Sequence, residues 1–198
     1  MGLEKLQQAL VRLYTDAALR AQFHADPAGT SKTLGLSAEE ANQIASVPAK
    51  QIESFAYALH RKRSAEVRGL LPHTCHTLGK SFESLFATHA EQFRPQGHQK
   101  HQNDAIQFAT FLSDNARHEN VIVSIVEIAR FESAFLKAHR SRCCLFMRVF
   151  KRDVKQIVHE IGNHAQITSN RFRFSLGIWF RMGSIQRFYY VRAPQLKS

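Results

Sequence analysis

Arg171-Phe172-Arg173-Phe174-Ser175-Leu176-Gly177-Ile178-Trp179-Phe180-Arg181 is the stretch on which the fold turns. Phe172, Phe174, Leu176, Ile178 and Phe180 recur at every second position, and Arg171, Arg173, Ser175, Gly177, Trp179 and Arg181 fill the positions between them. Side chains on a β-strand alternate between its two faces, so this period predicts a strand with an apolar face and an Arg/Trp face. Met182-Gly183-Ser184 supplies a turn, and Gln186–Arg192 reads as the returning strand of a hairpin. Cys143–Phe150 is a β-favouring apolar run and predicts a third strand, while Val154, Ile157, Val158 and Ile161 have the spacing of a two-turn helix. Burying the five large apolar residues at roughly 1.5–3 kcal/mol each gives about 10 kcal/mol gross. The expectation is that they dock the sheet and leave the Arg/Trp face free.

Upstream the period changes to that of helices. Leu3, Leu6, Leu10 and Leu13 form one stripe, and Asp16 is placed to cap a second helix carrying Leu19 and Phe23, which stops at Asp26-Pro27. Leu34-Gly35 closes the next helix, and Ser37-x-x-Glu40 is a capping box that opens another. A long helix follows Pro48, with Ile52, Phe55, Leu59 and Val67 as its apolar positions, and ends at Leu71-Pro72. Leu78, Phe82, Leu85 and Phe86 line a further helix before the break at Arg94-Pro95-Gln96-Gly97. Two more helices are expected over about 103–114 and 119–138. The fold class is therefore α+β: a helical bundle over 1–138, then a small antiparallel sheet of about three strands with one short helix over 139–198.

The charge follows the same division. Of 27 Lys and Arg in the 198 residues, 13 lie in residues 137–198, against only two acids there, Asp153 and Glu160. The whole net charge of +11 belongs to that segment, and residues 1–136 are neutral. So concentrated a field predicts an acidic partner: nucleic acid, an anionic membrane, or an acidic peptide. No apolar run is long enough to cross a membrane, the opening residues lack the apolar core of a secretory signal, and three cysteines make no disulfide framework. A soluble, cytoplasmic protein is expected.

Motifs for catalysis are weak. His159-Glu160 begins like a zinc-protease helix, but Asn163 stands where the second histidine belongs and His164 is out of phase. His73-x-Cys75-His76 throws its candidate ligands onto different helix faces, and His98-x-x-His101 lies in a polar loop. Cys143-Cys144 divides its thiols between the two sides of a strand. The chain holds no phosphate loop, nucleophile elbow or paired carboxylates. The expectation is a chain with no catalytic residue, metal site or cofactor of its own. Arg61-Lys62-Arg63 is read as a solvated helix face, with a binding feature as the alternative. Arg171, Arg173, Trp179, Arg181, Arg187 and Tyr189 are expected to gather on adjoining strands as a peptide-binding surface, since Trp and Arg are what binding hot spots favour.

Three blocks then carry a family likeness. The first is Leu13-Tyr14-Thr15-Asp16-x-x-Leu19-Arg20-x-x-Phe23-x-x-Asp26-Pro27, followed by Leu34-Gly35-Leu36. The second is Leu59-x-x-Lys62-Arg63-x-x-x-Val67-x-x-Leu70-Leu71-Pro72 with Leu78-Gly79-x-x-Phe82, and the third is the Trp179-Phe180-Arg181 hairpin. Together they resemble the MbnC family of methanobactin biosynthesis proteins. That resemblance implies a heterodimer with an MbnB-like iron enzyme, in which iron and dioxygen at the partner convert a precursor cysteine into an oxazolone and adjacent thioamide. These groups later chelate copper. The MbnC-like subunit would hold the leader of the ribosomally made precursor and complete the enzyme, with the iron held by the partner.

An exposed strand edge accepts an extended peptide as one more strand. About four backbone hydrogen bonds at roughly 1 kcal/mol each give only millimolar affinity, so side chains and charge must add to it. The neutral, Phe-rich bundle is the expected docking face for the enzyme. Two rival readings remain: a basic nucleic-acid-binding module, for which no recognition helix is evident, and a metal-binding protein using His73, Cys75, His76, His98 or His101.

Overall fold

Short polar residues set where this chain turns into helix. Asp16 Oδ1 accepts from the Leu19 amide at 3.0 Å and opens helix α2 (Ala17–Ala25), behind α1 (Gly2–Thr15). Asp26 repeats the device for α3 (Pro27–Thr33), accepting from the Gly29 amide at 2.9 Å with Pro27 in the first turn. At α4 (Ala38–Ala45) both halves of the Ser37/Glu40 capping box are made. The helices α5 (Ala49–Leu70), α6 (Pro72–Leu78), α7 (Ser81–Gln92), α8 (Lys100–Asp114) and α9 (Val123–Arg140) follow. The structure, a computed structural model, describes residues 2–116, 123–140, 143–162 and 173–193. Among these the fold is α+β, with ten helices and one three-stranded antiparallel sheet, as the sequence predicts.

The chain forms two compact units. The first comprises Met1–Ala65 and Ala90–Arg94, with a core of Ala9, Leu13, Leu19, Phe23, Ile44 and Ile52. Ile52 and Val67 of α5 are buried as expected, but Phe55 and Leu59 are exposed, Phe55 stacking on Tyr14. Their places on the inner side of the helix go to smaller residues such as Ala56. Arg63 is not part of a solvated face: its guanidinium donates to the carbonyls of Ala90 (3.3 Å) and Phe93 (2.5 Å). A further tie is the 2.7 Å ion pair between Arg94 and Asp16.

The second unit comprises Glu66–His89 and Pro95–Ser198. The single helix expected around Leu78–Phe86 is two, α6 and α7, because Gly79 takes a positive φ of 53° between them. Phe82, Phe86 and Phe108 pack ring against ring at 5.5–5.6 Å beneath α7 and α8. The sheet has the order β1-β2-β3, formed by β1 (Cys143–Phe150), β2 (Ser175–Met182) and β3 (Ile185–Arg192), with α10 (Val154–Gly162) between β1 and β2. Gly183, at φ 60°, opens the two-residue turn from β2 to β3, pairing Met182 with Ile185.

Candidate functional site

The two faces of the sheet are reversed from the expectation. Trp179 is fully buried, and the ladder sets Phe146, Trp179 and Phe188 in one row across the three strands. That row lies on α9, where Phe131 and Phe135 meet the indole at ring distances of 6.0 and 5.4 Å. Ile128, Ala134, Phe150, Val154, Ile157 and Ile161 complete the same core. The Arg/Trp face of β2 is thus the inner face, and Trp179 is no surface anchor.

Volume explains the reversal. The indole folds back along its own strand over Gly177, where an added Cβ would stand 2.6 and 2.7 Å from two of its ring carbons. A close-packed interior selects the face whose large rings are matched by small neighbours, and Ser175 and Gly177 are those neighbours.

The aliphatic face consequently points outward. Its rows, read from the register, are Val149–Leu176–Val191, Met147–Ile178–Tyr189 and Leu145–Phe180–Arg187, with Met182 beside Ile185 at the hairpin end. Leu145 is 69%, Met147 61% and Tyr189 56% exposed, and Val149, Val191, Met182 and Ile185 are similarly open. Among the described residues nothing covers this face, and contiguous apolar patches of this kind are uncommon on protein surfaces. Among the described residues β1 and β3 are the two edges of the sheet.

The six residues expected to form one peptide-binding surface therefore divide. Arg171 lies outside the described residues, as do Phe172, Asn163 and His164 and the side chains of Leu3, Cys143 and Cys144. Arg187 and Tyr189 sit on the outer face. Arg181 takes the inner-side register and its guanidinium donates to the His139 carbonyl in the last turn of α9. This is favourable for a cation at a helix C-terminus. Arg173 lies at the far end, beside Asp153.

That corner is built around Asp153, which is 2% exposed. Its Oδ1 accepts from the Gln156 amide at 3.3 Å and lies 2.9 Å from the Tyr190 hydroxyl. Its Oδ2 faces Arg192 Nε at 3.0 Å and Arg173 Nη1 at 3.8 Å. Tyr190 also stands 2.7 Å from Ser175 Oγ, which donates to the Arg152 carbonyl. Burial first, and the Asp153 charge after it, push the Tyr190 hydroxyl above its ordinary range, so it stays a neutral donor. Arg192, Tyr190 and Asp153 were not among the candidate residues. Only the strand register brings them together; β3 by itself offers just Arg187 and Arg192, five residues apart and on opposite faces.

Other buried polar groups hold the scaffold. Glu132 on α9 accepts from the amides of His73 and Thr74 and from the Thr74 hydroxyl, at 2.6–3.0 Å, and so caps α6 from a distant helix. Burial outweighs these donors and raises its carboxyl above the ordinary range. His89 Nε2 lies 2.9 Å from Asp104 Oδ1, both buried among Phe86, Phe108 and Phe111. Burial likewise pushes the Cys75 thiol up to about 12. Among the described residues, no three His, Cys, Asp or Glu side chains gather in a metal-binding group, and no helix is long and apolar enough to cross a membrane.

Comparison with known proteins touches the helices. Residues 45–114 match the family model described as SCO6045-like, C-terminal domain. That is about a third of the chain, running from the end of α4 to the end of α8, and this region is similar to that family. The sheet and the Asp153 corner lie outside the match. No curated protein matches the chain.

Proposed function

We propose that this chain is the non-catalytic subunit of an iron-dependent, peptide-modifying oxygenase complex, and that it holds the leader of a precursor peptide while the partner enzyme performs the chemistry. The observation that carries this reading is the outward apolar face of the sheet, set in a segment with a net charge of +11. Aliphatic rows three strands wide suit a protein partner, which gains by removing them from water. The edge of β3, unpaired among the described residues, suits an extended peptide, and the arginines of this segment favour an acidic one. The resemblance to the MbnC family supplies the rest of the reading: an MbnB-like partner holding the iron, and a cysteine of the precursor converted to an oxazolone and thioamide in the cytoplasm.

The rival reading as a nucleic-acid-binding module draws support from the charge. Phosphates, however, have no use for an apolar sheet face, and the helix α10 carries Asp153 and Glu160 at its two ends. The test is co-expression with an MbnB-like iron enzyme from the same organism. The two are expected to elute as one 1:1 species. Placing carboxylates on the outer face, as in the double variant Met147→Glu and Val149→Glu, is expected to separate them while leaving the far-UV circular dichroism unchanged. Separate elution of the wild-type proteins would overturn the proposal.

A further inference from the structure

We infer that Arg173 and Arg192 form a carboxylate clamp for an acidic side chain of a peptide lying along the β3 edge. This inference rests on the peptide-binding reading above and names the groups that would read the peptide's charge. Arg192 ends β3, and Arg173 stands just before β2, whose first ladder pair is Ser175 with Arg192. The Arg173 amide donates to the Lys151 carbonyl at 3.0 Å, which fixes it at the end of β1. Both guanidinium groups face the same oxygen, Asp153 Oδ2, so they are neighbours.

One carboxylate neutralises one of the two arginines. Asp153 is held in turn by the Gln156 amide and the Tyr190 hydroxyl, so it serves as a rigid post for the pair. Arg173 Nε is buried and has no hydrogen-bond partner among the described residues. The side chains of Arg173 and Arg192 are nonetheless 29% and 47% exposed, so the guanidinium groups reach solvent. Two neighbouring guanidinium groups that share one internal carboxylate retain donors for a second carboxylate, held through charge-assisted hydrogen bonds. The corner lies at the end of β3, an edge strand among the described residues, so a peptide paired along that edge would reach it.

The test measures binding of a dye-labelled hexaglutamate peptide to the full chain by fluorescence anisotropy. The double variant Arg173→Gln and Arg192→Gln is expected to weaken binding by about tenfold or more. The double variant Arg12→Gln and Arg61→Gln removes the same net charge without touching either clamp residue and is expected to weaken binding far less. Equal weakening in the two, or none in the first, would overturn the clamp. Arg192→Lys keeps the charge but not the fork, and full affinity in that variant would also overturn it. A single-stranded oligonucleotide that binds through the same two arginines more tightly than hexaglutamate would reassign the corner to phosphate. A normal 1:1 complex with the iron enzyme, together with a clamp variant that binds hexaglutamate as wild type does, would sink the clamp and spare the subunit reading. Clamp-dependent peptide binding without any complex would do the reverse.

Discussion

The two faces of one sheet carry similar amounts of apolar material and meet opposite fates. Beneath, Phe146, Trp179 and Phe188 close onto Phe131 and Phe135 of α9. Above, Leu145, Met147, Val149 and Val191 have no cover among the described residues. The face with the arginines and the small residues went inside, and the face with the unbroken alternation of large apolar residues stayed out. Hydrophobicity by itself does not choose. What chooses is whether a face can fill space without voids, and a large ring beside a glycine does so where a row of aliphatic side chains on this sheet does not.

The largest effect that tests this contrast comes from Trp179→Ala. It empties the centre of the aromatic core and should cost about 3–5 kcal/mol in urea unfolding. A loss under about 1 kcal/mol would mean that the inner face is not the core. Next, the core depends on α9 keeping its position, which Glu132 secures by capping α6. Glu132→Ala leaves two amides and a hydroxyl without their acceptor and should cost about 3 kcal/mol.

The same carboxylate gives a pH signature. Because its pKa is raised on folding, the folded state holds that proton more tightly than the unfolded chain. Its contribution is therefore fully present below the unfolded pKa and diminishes as pH rises through the folded one. Glu132→Gln should remove that part of the decline, read as the difference between the two stability profiles. Smaller again, Gly177→Ala forces a methyl against the indole and should cost about 2 kcal/mol, with a change in Trp179 fluorescence. Last, Met147→Thr together with Val149→Thr on the outer face should move the stability of the isolated chain by no more than about 0.5 kcal/mol, yet weaken the proposed complex with an iron enzyme.

Sequence reading succeeded where the signal is local. Asp16, Asp26, the Ser37/Glu40 box and the breaks at Pro48, Pro72 and Pro95 are decided within a few residues, and the helices begin and end there. The three strands and the hairpin turn were legible too, because a period of two needs only one strand to be seen. The inner face was not. It is settled by partners on α9 and by the ladder that sets Trp179 between Phe146 and Phe188, contacts that join positions from 131 to 188. The same limit hid the Asp153 corner. Arg173 was singled out for its charge, but Arg192 and Tyr190 become its neighbours only through the pairing of β2 with β3. Trp179 was misplaced on the surface for a related reason: its chemistry fits a hot spot, and its volume fits a core.

The strap from Arg63 to the carbonyls of Ala90 and Phe93 has a consequence for the order of events during synthesis. The first unit is interrupted in sequence, and its closing segment, with Arg94 bound for Asp16, emerges only after α6 and most of α7. On the ribosome the leading helices must wait, capped but unstrapped, until residue 94 is free of the tunnel. A fragment cut at residue 65 would keep every N-terminal cap and still lack the piece that fastens α5, so it should be more open to proteases than its helix content suggests.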